Sequence, residues 1–125
     1  MNQRLIRLDE GLKDLNIILD QEQKDQFIKY YELLVAWNRV MNLTAITDLD
    51  EVINKHFIDS LTMVKIYNIS NEKIIDVGTG AGFPGVPIKI AFPNTRIVLL
   101  DSLNKRINFL NEVIKELKLG GIETI

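Results

Sequence analysis

Asp76, Gly78, Gly80, Gly82 and Gly85 crowd into the stretch IIDVGTGAGFPGVPIKIAF, which runs from Ile74 to Phe92. Residues of these types do not make an acid–base centre; they make a binding loop. Glycine lets the main chain take positive φ and approach a ligand with no Cβ in the way. A strand that ends in glycines and feeds a helix also presents backbone amides and the positive end of the helix dipole. Two frames fit the letters. Gly80, Gly82 and Gly85 form G-x-G-x-x-G, the dinucleotide fingerprint of an NAD-linked oxidoreductase. Gly78, Gly80 and Gly82 form G-x-G-x-G behind Asp76, the arrangement of an S-adenosylmethionine (SAM) loop.

Position relative to the strand favours the second frame. The dinucleotide motif wants its first glycine at the strand end, which would push Gly78 and Thr79 into a strand that glycine weakens. Asp76 points the same way, because a carboxylate beside the loop repels a pyrophosphate and suits a ligand carrying an ammonium and a sulfonium. Asp101 closes a second apolar run, RIVLLD, about 20 residues beyond the loop. An acidic group there can accept hydrogen bonds from ribose hydroxyls. It can equally cap a helix beginning at Ser102, and the two roles are compatible.

His56, Asp59 and Ser60 invite a hydrolase reading that their spacing rejects. At i, i+3 and i+4 of one helix they project in parallel, whereas a triad needs its base between nucleophile and acid. Their expected work is to tie the helical region to the glycine loop by hydrogen bonds, or to pack. Zero cysteines exclude disulfides and thiolate chemistry, and the single histidine leaves no material for a multi-histidine metal site, so no metal is expected. Asn42-Leu43-Thr44 matches a glycosylation acceptor that a cytoplasmic chain never uses.

The elements that must position the loop divide the chain in two. Residues 1–69 read as a helical region, with Asp20 and Gln23 as a capping box opening a long helix. Phe27, Tyr30, Tyr31, Leu34, Trp37 and Met41 recur along it at helical spacing and form a core stripe. Thr47 or Asp48 caps a next helix, which presents Val52, Ile53, Phe57, Leu61 and Val64. The polar stretch Asn68–Lys73 is the expected boundary. From residue 70 the period becomes that of a sheet: strand Lys73–Val77, helix Gly85–Phe92, strand Arg96–Leu100, helix Ser102–Leu119 ended by Gly120-Gly121, and a strand start at Ile122–Ile125. The helix Gly85–Phe92 carries Pro84 or Pro87 in its first turn, where proline is tolerated. This β-α-β-α-β order is half of a doubly wound, Rossmann-like α/β sheet. The first strand of such a sheet normally lies in its middle, so the strand at Lys73 should have one edge unpaired. The chain is therefore expected to be the front part of a larger protein.

At 125 residues, 46% hydrophobic and 26% charged, the composition is that of an ordinary globular domain. No apolar run approaches the ~20 residues that span a bilayer, and the charged start MNQRLIRLDEGLKDL has no signal-peptide core, so a cytoplasmic location is expected. The net charge of −2 gives no global pull toward nucleic acid. Lys105, Arg106, Lys115 and Lys118 make the last helix locally basic; solvated helix charges are the default reading, and Lys105 or Arg106 could also touch RNA phosphate.

The segments WNRVMNLTAIT, HFIDSL, IIDVGTGAGFPGVPIKIAFP and LLDSLNKRINFL follow one another as they do in the bacterial RsmG family, historically called glucose-inhibited division protein B. The resemblance runs from about Gln21 to Leu119. Its most specific parts are D-V-G-x-G-A-G-F-P-G and D-S-x-x-K-R-x-x-F-L. It implies a SAM-dependent methyltransferase acting on the N7 of a guanine in 16S ribosomal RNA, with the small-subunit RNA or particle as partner. By the same resemblance Gly78, Gly80, Gly82 and Phe83 belong to the cofactor site, Phe83 flanking the ligand. Asp101 takes the ribose, and Ser102 and Leu103 lie near the adenine. The family continues past the position of Ile125 with an R-A-E-like segment and further strands, so the piece in hand is expected to be inactive alone. Guanine N7 carries an available lone pair, so such a reaction calls for no catalytic base.

Overall fold

A computed structural model describes residues 5–65, 69 and 72–125. The Val64 side chain and the positions Asn68, Ser70 and Asn71 of the expected boundary lie outside the described residues.

The first helix, α1 (Ile6–Asp14), buries Leu8 and Leu12, with Leu5, Leu15 and Leu19 burying the turns at its two ends. The second, α2 (Gln21–Asn38), opens on the expected capping box. Asp20 accepts from the Gln23 amide and the Gln23 side chain accepts from the Asp20 amide, both at 2.8 Å. Phe27, Tyr30 and Leu34 point into the core, while Tyr31 and Trp37 pack at its rim. Met41 does not extend the stripe. The helix stops at Asn38, whose side-chain oxygen accepts from the amides of Leu43 and Thr44 at 2.8 and 3.0 Å and turns the chain. Of the two candidate caps for the next helix, Asp48 is the one used, accepting from the Glu51 amide.

That helix is not uniform. α3 (Leu49–Val52) runs into a π-helical segment, Ile53–Ile58, then α4 (Asp59–Leu61) and a 3₁₀ turn, Thr62–Lys65. Val52, Ile53, Phe57 and Leu61 are all buried despite the change of pitch. Segments of π-helix inside α-helices often mark functional sites, and this one carries His56.

The sheet is β1 (Lys73–Val77), β2 (Arg96–Leu100) and β3 (Ile122–Thr124), parallel in the order β1-β2-β3. α5 (Gly85–Ala91) and α6 (Asn104–Leu117) connect them. Ile74 and Asp76 face inward from β1, while Lys73, Ile75 and Val77 face outward, Val77 with 77% of its surface exposed. Among the described residues β1 pairs with β2 alone, so its other edge is open as expected. One core cluster contains residues of α1, α2, the π-helical segment, α5, β2 and α6. The helical region therefore packs directly on the sheet unit. Lys89, on the otherwise apolar α5, is buried and donates to the carbonyls of Pro93 and Thr95.

Two expected boundaries of α6 are corrected. It begins at Asn104 rather than Ser102, because Asp101 Oδ1 accepts from the Leu103 amide and holds that residue outside the helix. It ends at Lys118 in the left-handed conformation (φ 56°), before the two glycines. Gly121 (φ 69°) then leads the chain into β3.

Candidate cofactor site

The loop after β1 has two sides with different jobs. Gly78 (φ 69°) and Gly80 (φ 62°) take left-handed conformations, and nothing lies within 4 Å of where a Cβ would stand on either. They form an open cradle of bare main chain. Gly82 (φ 103°) is buried, and a Cβ there would meet the Tyr30 hydroxyl at 2.7 Å, Val86 at 2.8 Å and Leu110 at 3.0 Å. Gly82 thus belongs to the packed side, where close approach of α2 and α6 requires it.

Few of the loop amides are free, contrary to the simple picture of a glycine loop. Thr79 donates to the Leu100 carbonyl (2.9 Å), and Gly82 and Phe83 donate to the Thr79 carbonyl (3.0 and 3.2 Å). Gly80 donates to Asp101 Oδ2 at 3.0 Å across 21 residues of sequence. The hydroxyl of Tyr30, wholly buried, donates to the Ala81 carbonyl. Burial, reinforced by the charge of Asp76, pushes the Tyr30 phenol well above its ordinary range, so it stays protonated as that bond requires.

Asp76 does not face the cradle. It is buried, and its Oδ2 accepts from the Thr79 hydroxyl (2.6 Å) and the Gly85 amide (3.0 Å). Burial raises its carboxyl, and those two hydrogen bonds pull against the rise. The expectation that Asp76 meets a cationic ligand is therefore corrected: it ties strand, loop and helix together. The same geometry bears on the dinucleotide frame. A pyrophosphate would need the first amides of α5, but a carboxylate already holds the amide of Gly85, and Gly82 is packed against Tyr30.

Asp101 and the cradle come together as anticipated. Besides Gly80, the Asp101 carboxylate accepts from Leu103 (3.0 Å) and from Arg106 Nη1 (3.4 Å). Burial alone would raise its carboxyl; the two amides and the Arg106 guanidinium outweigh burial and hold it below the usual range. Its helix-capping role is replaced by this bracing of loop against loop. Arg106 is accordingly engaged with Asp101, whereas Lys105 is exposed. Ser102 is exposed, and Leu103, whose amide is held by Asp101, shows half its surface (50%). We predict that Asp101→Ala frees the Gly80 amide and lowers stability by about 1.5–3 kcal/mol, the scale of one net hydrogen bond to a charged group. Because its folded pKa is depressed, this contribution is present above the ordinary carboxylate pKa and disappears as pH falls through the lowered value. Thermal melts of the two proteins across acid pH check it: their difference should shrink on acidification.

Phe83 is half-buried and stacks face to face on His56, with centroids 4.4 Å apart and planes at 8°. Phe57 and Tyr30 close the cluster behind it at 6.1 and 5.6 Å. Of the residues considered for a triad, only His56 reaches the loop. Ser60 donates back to the His56 carbonyl, and Asp59 is exposed. Sequence reasoning did not find Tyr30, Asn38 or Thr44 as supports of this site. Tyr30 was legible only as a core aromatic, since nothing in a stripe reveals where a hydroxyl ends.

Among the described residues no group of three or more His, Asp or Glu side chains is placed to hold a metal ion, and no helix is long and apolar enough to cross a membrane. Residues 23–125 match the family model described as rRNA small subunit methyltransferase G (GidB). The chain belongs to that family. It is 55% identical over 117 residues to the ribosomal RNA small subunit methyltransferase G of Lachnoclostridium phytofermentans, covering 93% of this chain and 48% of that protein. The protein of the same name from Streptococcus thermophilus is 57% identical over 114 residues, covering 90% and 48%. That from a Thermoanaerobacter species is 54% identical over 125 residues, covering 99% and 52%. The chain thus spans about half the length of the curated relatives it matches. The family match takes in the capping box residue Gln23, the π-helical segment, the cradle and Asp101, so the helical region and the glycine loop fall within one family unit.

Proposed function

We propose that this chain forms the N-terminal portion of a SAM-dependent methyltransferase that modifies the N7 of a guanine in 16S ribosomal RNA, in the cytoplasm. The family match supports an RNA methyltransferase. The observation that carries the cofactor is the open cradle at Gly78 and Gly80, braced by the Asp101 carboxylate on the Gly80 amide. Its chemistry fits a sulfonium nucleoside: bare main chain with room where Cβ atoms would be, a carboxylate for ribose hydroxyls, and apolar Leu103 and Phe83 nearby. Residues 1–69 are the helical region in this reading and 70–125 the first part of the SAM-binding domain.

Gly78 and Gly80 would give the ligand main-chain contact, Asp101 would take the ribose, and Ser102 and Leu103 would border the adenine. Gly82 supports the loop from behind, and Phe83 flanks the ligand. The bound cofactor supplies an activated methyl group. The chain's own work is alignment, a contribution that reaches ~7–11 kcal/mol in favourable intramolecular cases. No residue need remove a proton, because guanine N7 is already a free lone pair.

Titration calorimetry with SAM, S-adenosylhomocysteine and NAD tests the cofactor. Binding of the sulfur nucleosides supports the reading, and binding of NAD alone overturns it. In a full-length version Gly78→Val should abolish nucleoside binding while the helical region stays folded, since the added side chain enters the cradle rather than the core. Retained affinity in that variant would remove the loop assignment.

A further inference from the structure

The contact between His56 and Phe83 has more support than a chance ring stack. Thr44 Oγ1 lies 2.8 Å from His56 Nε2 and also accepts from the Ile46 amide at 3.1 Å. The Ile46 amide occupies one lone pair of that hydroxyl, which keeps a second lone pair and its proton for pairing with Nε2. The Thr44 amide is in turn fixed by Asn38, and Tyr31 holds the same turn by donating to the Thr47 carbonyl at 2.6 Å. The chain of contacts therefore runs from the end of α2, through the turn at residues 39–47, to the π-helical segment and on to the loop. Burial lowers the imidazole pKa, with Asp59 pulling it the other way.

We propose that His56 is a positioning residue for the glycine loop. Held by the Thr44 hydroxyl, its ring fixes the plane of Phe83 and so the loop from Ala81 to Phe83. The inference that this serves a methyl donor rests on the function proposed above; the positioning itself does not. The helical region is then part of the cofactor site's machinery through this contact, without touching the ligand.

His56 is the chain's single histidine, so its imidazole signals in NMR spectra are unambiguous. The experiment uses the 125-residue chain with Thr44→Val, Thr44→Ser, His56→Phe and His56→Ala. In the unaltered chain the nitrogen shifts should report one neutral tautomer, and the ring protons should lie upfield under the Phe83 ring current. Thr44→Val should mix the tautomers and Thr44→Ser should restore the original one. His56→Ala should shift the amide signals of Ala81, Gly82 and Phe83, and His56→Phe should restore them. Circular dichroism on each variant reports whether the fold is kept. A mixture of tautomers in the unaltered chain, ring protons without the upfield shift, or loop amides unmoved in a folded His56→Ala would each overturn the proposal. S-adenosylhomocysteine titration of a full-length version forms a separate arm. There His56→Ala should lose about tenfold in affinity, the upper range for one aromatic pair, and His56→Phe should recover most of it. A chain that shows the expected NMR pattern but binds no nucleoside would count against the proposed function and leave the positioning role standing.

Discussion

Gly82→Val is expected to destabilise the fold by roughly 2–5 kcal/mol. Two costs add. The residue sits at φ 103°, a conformation that a β-branched side chain rarely adopts, and a non-glycine residue on the left-handed side costs ~1–2 kcal/mol. The new Cβ would also stand 2.7 Å from the Tyr30 hydroxyl and 2.8 Å from Val86. Overpacking of this kind costs ~1–3 kcal/mol, because well-packed neighbours yield little. Against a total stability of ~5–15 kcal/mol for a typical domain, the loss is large. Thermal denaturation should show a Tm lower by about 10 °C or more, and the Tyr30 bond to Ala81 should break. Gly78→Val is the paired control, since its Cβ meets nothing within 4 Å. It should carry the conformational cost alone. A folded, near-native Gly82→Val would show that α2 does not press on the loop as described.

Asp76→Ala is the second large effect, and Asp76→Asn separates its causes. Alanine leaves the buried Thr79 hydroxyl and the Gly85 amide without their acceptor. Each unsatisfied buried group costs ~1–3 kcal/mol, so the expected loss is about 2–6 kcal/mol. Both bonds end on the same oxygen, so asparagine can keep them with its carbonyl and carries no charge into the core. Its stability near neutral pH should equal or exceed that of the unaltered chain. The pH dependence follows from the raised pKa. A carboxyl that binds its proton more tightly when folded favours folding below its ordinary pKa, and that advantage is lost as pH rises through the folded value. The difference in Tm between Asp76→Asn and the unaltered chain should therefore move in favour of asparagine from acid to neutral pH. Denaturation of both across that range decides it, and a constant difference would mean that Asp76 is not buried as an ionised group.

The two residues mark the limit of what a linear reading can see. Asp76 and Gly82 both fall in the glycine-loop motif, and both were assigned to the ligand. In three dimensions the Asp76 carboxylate is taken up by Thr79 and Gly85, and a Cβ on Gly82 would meet Tyr30. The motif fixes that a loop exists and that its backbone is unusual; it does not say which residues of the turn face out. Met41 failed for a related reason. Helical periodicity continues past Asn38 on paper, but the Asn38 side chain captures two amides and ends the helix. At the other end of the sheet unit, Lys118 adopted the left-handed conformation expected of the glycines that follow it.

Sequence alone determined the order of elements, the capping box at Asp20, a cap at Thr47 or Asp48, the β-α-β-α-β progression and the meeting of Asp101 with the glycine loop. Each of these is local or follows from one fixed connection: a cap lies three residues from its target, and parallel neighbours must bring their carboxyl ends together. Only the tertiary structure decided which glycines are open, that Asp76 braces the fold, and that Tyr30 and His56 hold the loop from the helical side. The contacts of Tyr30 and His56 cross 51 and 27 residues of chain (Tyr30 to Ala81, His56 to Phe83), where the direction of a side chain is set by packing and leaves no period in the sequence.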